Sequence, residues 1–210
     1  MVVISQSPVM NQFSYRFIKR AFDIIISFTV LLILLPLFIV IGLLIKITSR
    51  GPILHRYQMV GCEGKIFEGQ KFRSMIINAH EIRDSLKEKN EMKGPAFKIK
   101  DDPRITKLGS FIRRYSLDEF PQLWNVLKGD MSIVGPRPPG PYEVAEFKEW
   151  HYKKLTVKPG ITSTWVINNK PTNFDEWVKL DIWYINHWSL LTDFSIILKT
   201  IPIVIMGRNH

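Results

Sequence analysis

One apolar segment constrains the fold of this chain more than any other feature. Residues 21–45 form a run of 25 residues in which Asp23 carries the only charge. About 20 consecutive apolar residues are enough for a helix to cross the hydrocarbon core of a bilayer. The run is too long for a secretory signal peptide, and no small-residue cleavage site follows it. A buried helix of this length in a soluble core usually has a polar stripe, which this run lacks. The segment is therefore predicted to enter a membrane.

The flanks of this run and its central proline argue against a simple crossing. Basic residues stand on both sides, namely Arg16, Lys19 and Arg20 before the run and Lys46 and Arg50 after it. Basic flanks favour the cytoplasmic face, so both ends favour the same side. Pro36 removes a backbone hydrogen bond in mid-run and kinks or breaks a helix there. Two paths remain open: a straight span, or a re-entrant helix that breaks at Pro36 and returns, which would place Gln6 and Arg208 on the same face.

Composition limits the partners of the chain. The 210 residues carry a formal net charge of +10, and the isoelectric point is about 9.7. Such a balance favours an anionic partner, which is a nucleic acid, a phosphate-bearing ligand or an acidic membrane surface. The single cysteine, Cys62, excludes an intrachain disulfide and fits a reducing cytosolic domain. The purely structural interpretation of Cys62 is that it is a small residue in the turn 61–64.

The remaining sequence predicts a helix-rich body of class α/β (α+β). We expect a flexible N-terminus over 1–14, a membrane helix over 15–50 and a catalytic domain over 51–210. Residues 53–60 and 65–72 are predicted to form two short strands joined by a turn. Helices are predicted over 78–93, 107–115, 117–127, 142–155 and 174–188. The apolar stretch 196–206 is too short to span a bilayer. The late tryptophans and tyrosines fit either interfacial amphipathic helices or ordinary core packing.

Two adjacent carboxylates, Asp118 and Glu119, are the strongest candidates for chemistry. Neighbours inside a regular helix do not face the same ligand. Pro121 makes a regular helix interior unfavourable here, so both acids could reach one ligand at a helix start or break. The alternative is structural: Ser116 and Glu119 fit the spacing of a capping box, with Asp118 as a favourable acid in the first turn.

Cationic residues surround this pair in the sequence. Arginine grips phosphate oxygens with a planar fork, and prolines on both sides of Arg137 fix its backbone in advance. Each cation taken alone is consistent with a solvated surface charge. The set as a whole favours a phosphate site. The candidates for binding phosphate or substrate are Lys71, Arg73, Arg104, Arg113, Arg114, Arg137 and Lys158, and Asp181 is added as an acidic candidate.

Several motifs resemble those of the bacterial sugar transferases, the monotopic phosphoglycosyl transferases that act on a polyprenyl phosphate. The resemblance runs from about residue 16 to near the C-terminus. The motifs that carry it are Lys19-Arg20-Ala21-Phe22-Asp23, Lys71-Phe72-Arg73-Ser74-Met75, Asp102-Pro103-Arg104-Ile105-Thr106, Arg113-Arg114-Tyr115-Ser116-Leu117-Asp118-Glu119, Gly129-Asp130-Met131-Ser132 running into Gly135-Pro136-Arg137-Pro138, and Lys158-Pro159-Gly160-Ile161-Thr162.

The resemblance implies an activity and a role for each matching residue. Asp118 would attack the β-phosphate of a UDP-sugar, form an aspartyl-phosphosugar and release UMP. Undecaprenyl phosphate would then accept the sugar phosphate, which primes exopolysaccharide, capsule, O-antigen or glycoprotein glycan synthesis. Glu119 would help to hold Mg²⁺, and Arg113, Arg114 and Arg137 would neutralise charge on the transferring groups. The resemblance also implies a re-entrant helix and a location at the cytoplasmic face of the bacterial inner membrane.

The implied partners are a UDP-sugar, a polyprenyl phosphate and membrane lipid, with no nucleic acid. A homodimer is left open, because the sequence does not fix the oligomeric state. One stretch departs from the family pattern: Val166 stands where relatives usually have glutamine, and Asn169-Lys170 stands where they usually have Gly-Arg. This departure puts the sugar specificity, or the activity itself, in doubt.

A membrane-anchored basic adaptor that binds nucleic acid or acidic lipid is the competing interpretation. It explains the net charge and the apolar segment. It does not explain an acid pair next to arginines, and it does not require an arginine between prolines. Binding to a nucleic-acid backbone weakens steeply with salt, so a salt titration would separate the two hypotheses.

Overall fold

One long helix dominates the N-terminal part of the structure. The computed structural model describes residues 13–207, and α1 occupies Phe13–Thr48. Gln6, Arg208 and most of the predicted segment 1–14 lie outside the described residues. By length and composition α1 could cross a membrane, and only 11% of its most apolar window is buried. These properties support membrane association.

One face of α1 packs against the rest of the protein. Asp23, Ser27, Ile41 and Ile45 are buried on this face, at the three- and four-residue spacings that place side chains on one side of a helix. The opposite face exposes large apolar side chains along the whole helix, among them Ile25, Phe28, Leu32, Ile33, Leu43 and Ile47. The helix therefore contacts the body along its length while presenting an apolar surface outward.

The predicted bend at Pro36 stays a prediction, although the structure shows no interruption of the helix there. Pro36 lies inside α1, which continues to Thr48. A proline removes a single i to i−4 hydrogen bond, and the turns on either side retain theirs, so a helix can continue past it. The re-entrant path itself stays a prediction.

A β-hairpin follows α1, as predicted. Strand β1 covers Leu54–Val60 and strand β2 covers Ile66–Phe72. They pair antiparallel, with His55 opposite Lys71 and Tyr57 opposite Gly69. Side chains alternate between the two faces of a strand, so residues 55, 57 and 71 share one face.

The rest of the chain is mainly helical, and its strands are short. Strand β3, Ser132–Val134, pairs in parallel with strand β4, Gly160–Thr162. The helices are α2 at Lys107–Arg114, α3 at Leu123–Lys128, α4 at Pro141–Val144, α5 at Thr164–Ile167, α6 at Phe174–Asn186 and α7 at Leu190–Ile205. Three longer 3₁₀ helices cover Asp84–Lys89, Leu117–Gln122 and Glu149–Thr156. A helix-rich chain with two small sheets matches the predicted mixed class.

Three predicted helices differ from the observed ones. Residues 78–93 form turns and the 3₁₀ helix Asp84–Lys89; Ile82 and Leu86 are only half-buried there, so packing adds little to a short, charge-rich helix. The predicted helix 117–127 divides into a 3₁₀ helix and α3. The predicted helix 142–155 divides into α4 and a second 3₁₀ segment. By contrast, α2 and α6 lie close to their predicted bounds, and residues 196–206 belong to the longer helix α7.

The central core joins elements from both halves of the chain. Its buried members come from β1, α3, β3, α6 and α7, and Ile26, Val30 and Leu31 of α1 pack against it. They are Met59, Leu123, Val126, Met131, Ile133, Val134, Tyr184, Ile185, Trp188 and Ile196. The core thus fixes the β1–β2 hairpin, the β3–β4 sheet and the first half of α1 relative to one another.

Buried polar contacts attach α1 to the same core. Asp23 accepts hydrogen bonds from the Ser132 hydroxyl and the Ile133 amide, each at 3.0 Å. Lys19 donates to Asp193 at 2.6 Å, and Asp193 also accepts from the Tyr184 hydroxyl at 2.7 Å. Buried charges are tolerated when they are paired and hydrogen-bonded. This group therefore fixes the orientation of α1 relative to β3 and α7.

Candidate active site

The acid pair lies on a short 3₁₀ helix that lines a large cavity. The helix covers Leu117–Gln122 and begins directly after Ser116, whose φ of 53° is in the left-handed region. A serine in this conformation is strained, and such strain is concentrated at functional sites. It also differs from the extended N-cap that the capping-box alternative required. Asp118 and Glu119 both line the cavity, which measures about 1230 Å³.

The two carboxyl groups differ in their electrostatic surroundings. Burial, followed by the charge of Glu119, raises the pKa of Asp118 to about 6, although Lys71 and Arg113 oppose the shift. Burial also acts to raise the pKa of Glu119, but the Arg137 guanidinium outweighs it, so that this pKa falls below its usual value. Environments that push two neighbouring pKa values apart are typical of sites with distinct acid, base or nucleophile roles.

Arg137 contacts the acid pair directly. It follows β3 in the proline-rich loop, and its guanidinium donates a hydrogen bond to Glu119 Oε1 at 3.0 Å. The guanidinium also lies 5.7 Å from the centroid of the Trp165 ring. The negative charge of Glu119 raises the pKa of Arg137, so the guanidinium stays charged. The loop therefore holds a permanent cation at the acid pair.

Two further predicted cations lie at the same end of the cavity. Lys71 projects from β2, and burial lowers its pKa while the Asp118 charge acts in the opposite direction. Arg113 stands in the last turn of α2 and lines the cavity. The structure thus brings Asp118, Glu119, Lys71, Arg113 and Arg137 together at one end of the cavity.

Arg73 and Arg104 line the cavity and also make structural contacts. Arg73 donates to the carbonyls of Ser49 and Arg50 just after α1, and to the Ser49 hydroxyl at 2.9 Å. Arg104 forms a buried pair with Asp102 at 2.6 Å. Each guanidinium therefore has protein acceptors already, and a phosphate contact for either residue stays a prediction.

Three predicted residues lie away from the acid pair. Arg114 is exposed at the end of α2, with its guanidinium 5.9 Å from the centroid of the Tyr115 ring. Lys158 approaches Gly129 on the side where Arg20 binds the end of α3. Asp181 is fully buried and pairs with Lys154 at 3.1 Å. A direct substrate contact for these three residues stays a prediction.

The structure adds cavity residues that the sequence did not single out. Tyr57 lies on the inner face of β1, and its hydroxyl accepts a hydrogen bond from Gln122 Nε2 at 2.9 Å. Glu143 is buried in α4 and also lines the cavity. Strand alternation could have placed Tyr57 beside Lys71, but only with the register of the hairpin known. No sequence signal indicated Glu143.

The stretch that departs from the family pattern also reaches the cavity. Lys170 lines it, and both Asn169 and Lys170 have positive φ values, 58° and 48°. Burial and then the Arg137 charge lower the pKa of Lys170 to about 8. The departure therefore places a lysine of unusually low pKa near the acid pair.

A second part of the cavity is apolar. Its lining comes from α1 and α7, and the residues are Ile26, Val30, Ile197, Ile201, Val204 and Ile205. One continuous space thus joins a charged end to an apolar end. An amphiphile with a phosphate head and a hydrocarbon tail matches this distribution.

The acid pair also has the chemistry of a partial metal site. Within residues 13–207 there is no cluster of three or more histidine, cysteine, aspartate or glutamate side chains that could bind a metal ion. Mg²⁺ commonly binds to one or two protein carboxylates and completes its shell with substrate phosphates and water. The hard oxygens of Glu119 and Asp118 fit that pattern.

Comparisons with known proteins identify the family. The model of the bacterial sugar transferase family matches residues 14–207. The chain is 44% identical to the galactosyl transferase CpsE of Streptococcus agalactiae serotype III, over 99% of this chain and 46% of that protein. It is 42% identical to the undecaprenyl-phosphate galactose phosphotransferase of Salmonella typhimurium, over 91% of this chain and 41% of that protein.

A relative of similar length also matches. The exopolysaccharide production protein ExoY of Sinorhizobium fredii is 37% identical over 91% of this chain and 87% of its own length. By contrast, the chain spans less than half the length of the two relatives named before it. The match to the family model covers nearly all of the described residues. The chain therefore belongs to the bacterial sugar transferase family.

Proposed function

We propose that this protein transfers sugar-1-phosphate from a UDP-sugar to undecaprenyl phosphate, releasing UMP. The observation that carries the proposal is the acid pair, which lies among three cations in a cavity that continues into an apolar end. The Salmonella relative is named for undecaprenyl phosphate and a galactose phosphotransferase activity. The product would prime the synthesis of exopolysaccharide or a related glycan.

In the first step, Asp118 acts as the nucleophile. Its carboxylate oxygen bonds to the β-phosphorus of the donor, and the bond from that phosphorus to the oxygen of UMP breaks. A pKa of about 6 leaves most Asp118 ionised at neutral pH. Burial also removes water that would otherwise shield the attacking oxygen. A covalent intermediate divides one difficult transfer into two easier ones.

In the second step, a phosphate oxygen of the lipid attacks the phosphorus of the aspartyl-phosphosugar, and the Asp118 carboxylate leaves. Lys71, Arg113 and Arg137 face the negative charge that develops on the phosphoryl oxygens in both steps. Fixed cations in a cavity of low dielectric stabilise such charge more strongly than water does. Glu119 would help to hold Mg²⁺, which when bound neutralises the donor diphosphate. Arg137 orients Glu119 for this role through its hydrogen bond.

The apolar end of the cavity is proposed to receive the first isoprene units of the acceptor. Ile26 and Val30 of α1 and Ile197 and Ile201 of α7 all line this cavity. The outer faces of both helices expose further apolar side chains, such as Phe28 and Phe194. A lipid tail could therefore pass from the bilayer to the acid pair without crossing water.

The proposed location is the cytoplasmic face of the inner membrane, with α1 re-entrant. Both ends of α1 bind the same body. Arg20 donates to the carbonyls of Val126 and Leu127, and Arg73 donates to the carbonyls that follow the other end. A helix that spanned the bilayer in a straight line would carry one of its ends away from that body.

The test is UMP release from a panel of UDP-sugars, with and without undecaprenyl phosphate, by protein in detergent or nanodiscs. We expect one or few sugars to support turnover, and turnover to require the lipid. Without lipid, a single turnover should leave radiolabelled sugar phosphate attached to the protein, and Asp118→Asn should abolish the label. Turnover with no label on the protein would favour direct transfer between the two substrates.

A further inference from the structure

Tyr57 lies between the hairpin and the helix of the acid pair. Tyr57 belongs to β1 and pairs with Gly69 of β2. The Lys71 ammonium lies 4.8 Å from the centroid of the Tyr57 ring. The Tyr57 hydroxyl accepts from Gln122, which belongs to the same 3₁₀ helix as Asp118. One side chain therefore contacts both the cation and the helix of the acid pair.

The Lys71 ammonium has few ways to hold its position without this ring. Its stem is a flexible chain of four methylene groups, unlike the planar fork of arginine. Within the described residues, no ion pair of 4.0 Å or less joins Lys71 to a carboxylate. An ammonium over an aromatic face is attracted by the ring quadrupole, and the attraction grows when water is excluded. The contact with the Tyr57 ring therefore holds this cation in place.

We propose that Tyr57 is a positioning residue of the transfer reaction: its ring holds the Lys71 ammonium beside Asp118, and its hydroxyl secures the acid-bearing helix through Gln122. The ring is itself held in place, because His55 stacks on it with an interplanar angle of 9°. Burial raises the pKa of Tyr57 further above its ordinary value, so the phenol stays neutral and does not compete with Asp118 for Lys71.

The two contacts can be removed separately. Tyr57→Phe keeps the ring and loses the hydroxyl, whereas Tyr57→Leu loses both. If the ring holds Lys71, Tyr57→Leu lowers kcat about tenfold, equivalent to about 1.4 kcal/mol, and Tyr57→Phe stays within threefold of wild type. Tyr152→Leu removes an exposed tyrosine elsewhere and serves as the matched control, with wild-type kcat expected. Equal losses in Tyr57→Phe and Tyr57→Leu would overturn the role of the ring.

A double-mutant cycle tests the coupling to the cation. Lys71→Met removes the ammonium, so adding Tyr57→Leu to it should cost at most a further twofold in kcat. A general loss of packing would instead lower kcat by the same factor in both backgrounds. If the loss of kcat in the double variant equals the product of the losses in the two single variants, the proposal is contradicted.

The kcat measurements rest on the proposed transfer reaction. A second measurement therefore tests the Tyr57–Lys71 contact without using turnover. Lysines are methylated reductively with ¹³C, and the Lys71 signal is assigned by its absence in Lys71→Arg. The ring current of Tyr57 should displace this signal in wild type and in Tyr57→Phe, and the displacement should vanish in Tyr57→Leu. An identical chemical shift of the Lys71 signal in wild type, Tyr57→Phe and Tyr57→Leu would overturn the contact. If wild type releases no UMP but the displacement is present, the proposed function fails and the Tyr57–Lys71 contact stands.

Discussion

Arg137 and Glu119 come from different parts of the fold and meet at 3.0 Å inside the cavity. Glu119 belongs to the 3₁₀ helix before α3, and Arg137 belongs to the loop after β3. This contact gives the two adjacent acids different surroundings. The Arg137 guanidinium lowers the pKa of Glu119, whereas burial and the Glu119 charge raise the pKa of Asp118.

Replacing Asp118 by asparagine should abolish turnover while leaving the protein folded and membrane-bound. The amide keeps the shape of the side chain but cannot form the phosphoryl bond, and losing a nucleophile usually lowers kcat by orders of magnitude. Steady-state UMP release measures the effect, with the exposed Asp84→Asn as control. A variant that kept more than about a tenth of the wild-type rate would remove Asp118 as the nucleophile.

Arg137→Lys should lower kcat at least tenfold although the charge is kept. A lysine ammonium cannot reproduce the fork that binds Glu119 and faces the phosphoryl group at the same time. Arg56→Lys, on the exposed face of β1, is the matched control and should have no effect. Wild-type kcat in Arg137→Lys would mean that only the charge matters at this position.

Removing divalent cations should stop the reaction, and Mg²⁺ should restore it. Glu119 and the donor diphosphate provide the hard oxygen ligands that this ion prefers. Glu119→Gln should raise the Mg²⁺ concentration needed for half-maximal activity. Full activity after exhaustive chelation would contradict a metal-binding role for Glu119.

Lys170 should give the reaction an alkaline limit. Its pKa is lowered to about 8 by burial and by Arg137, with Lys98 adding to this effect and Glu119 and Asp118 opposing it. Lys170 is therefore largely protonated at pH 7 and loses its charge as the pH rises through about 8. If the ammonium binds the donor, kcat/KM for the UDP-sugar falls above this pH. Lys170→Arg keeps its charge and should extend activity to higher pH, and an unchanged alkaline limb would exclude Lys170 as its source.

The two ends of α1 should lie on the same side of the membrane. Single cysteines at Gln6 and Thr48, in a Cys62→Ser background, can be probed with an impermeant thiol reagent on intact cells. We expect neither to be labelled until the cells are lysed. Labelling of position 6 alone would show a crossing helix. Pro36→Leu should favour a straight helix, so position 6 should then begin to react.

The sequence predicted those elements whose signal is local. The hairpin 53–72 was visible from its turn at residues 61–64, and α6 from its run of apolar and aromatic residues. The helix predicted over 78–93 is wrong: its charges suit a helix surface, but Ile82 and Leu86 stay only half-buried and add little packing. Helical propensity alone stabilises a short helix only marginally in water.

The residue types of the candidate site could be recognised in the sequence, and their geometry could not. The acid pair and Arg137 were recognisable from residue type, but their contact depends on the parallel pairing of β3 with β4, which no local pattern specifies. Charges that pair internally are equally hard to recognise. Asp181 looks like a ligand in the sequence, whereas in the structure it faces Lys154 in a fully buried pair.

The hydrogen bonds that Asp23 accepts from Ser132 and Ile133 join the apolar helix to the candidate active site. These two residues begin the strand that ends just before the proline loop of Arg137. Deleting α1 would leave the Ser132 hydroxyl and the Ile133 amide without their acceptor, and would expose the core beneath. We therefore expect that trimming the N-terminal helix destabilises the body, and that a compound that loosens the helix from the body disturbs the proposed active site without entering the cavity.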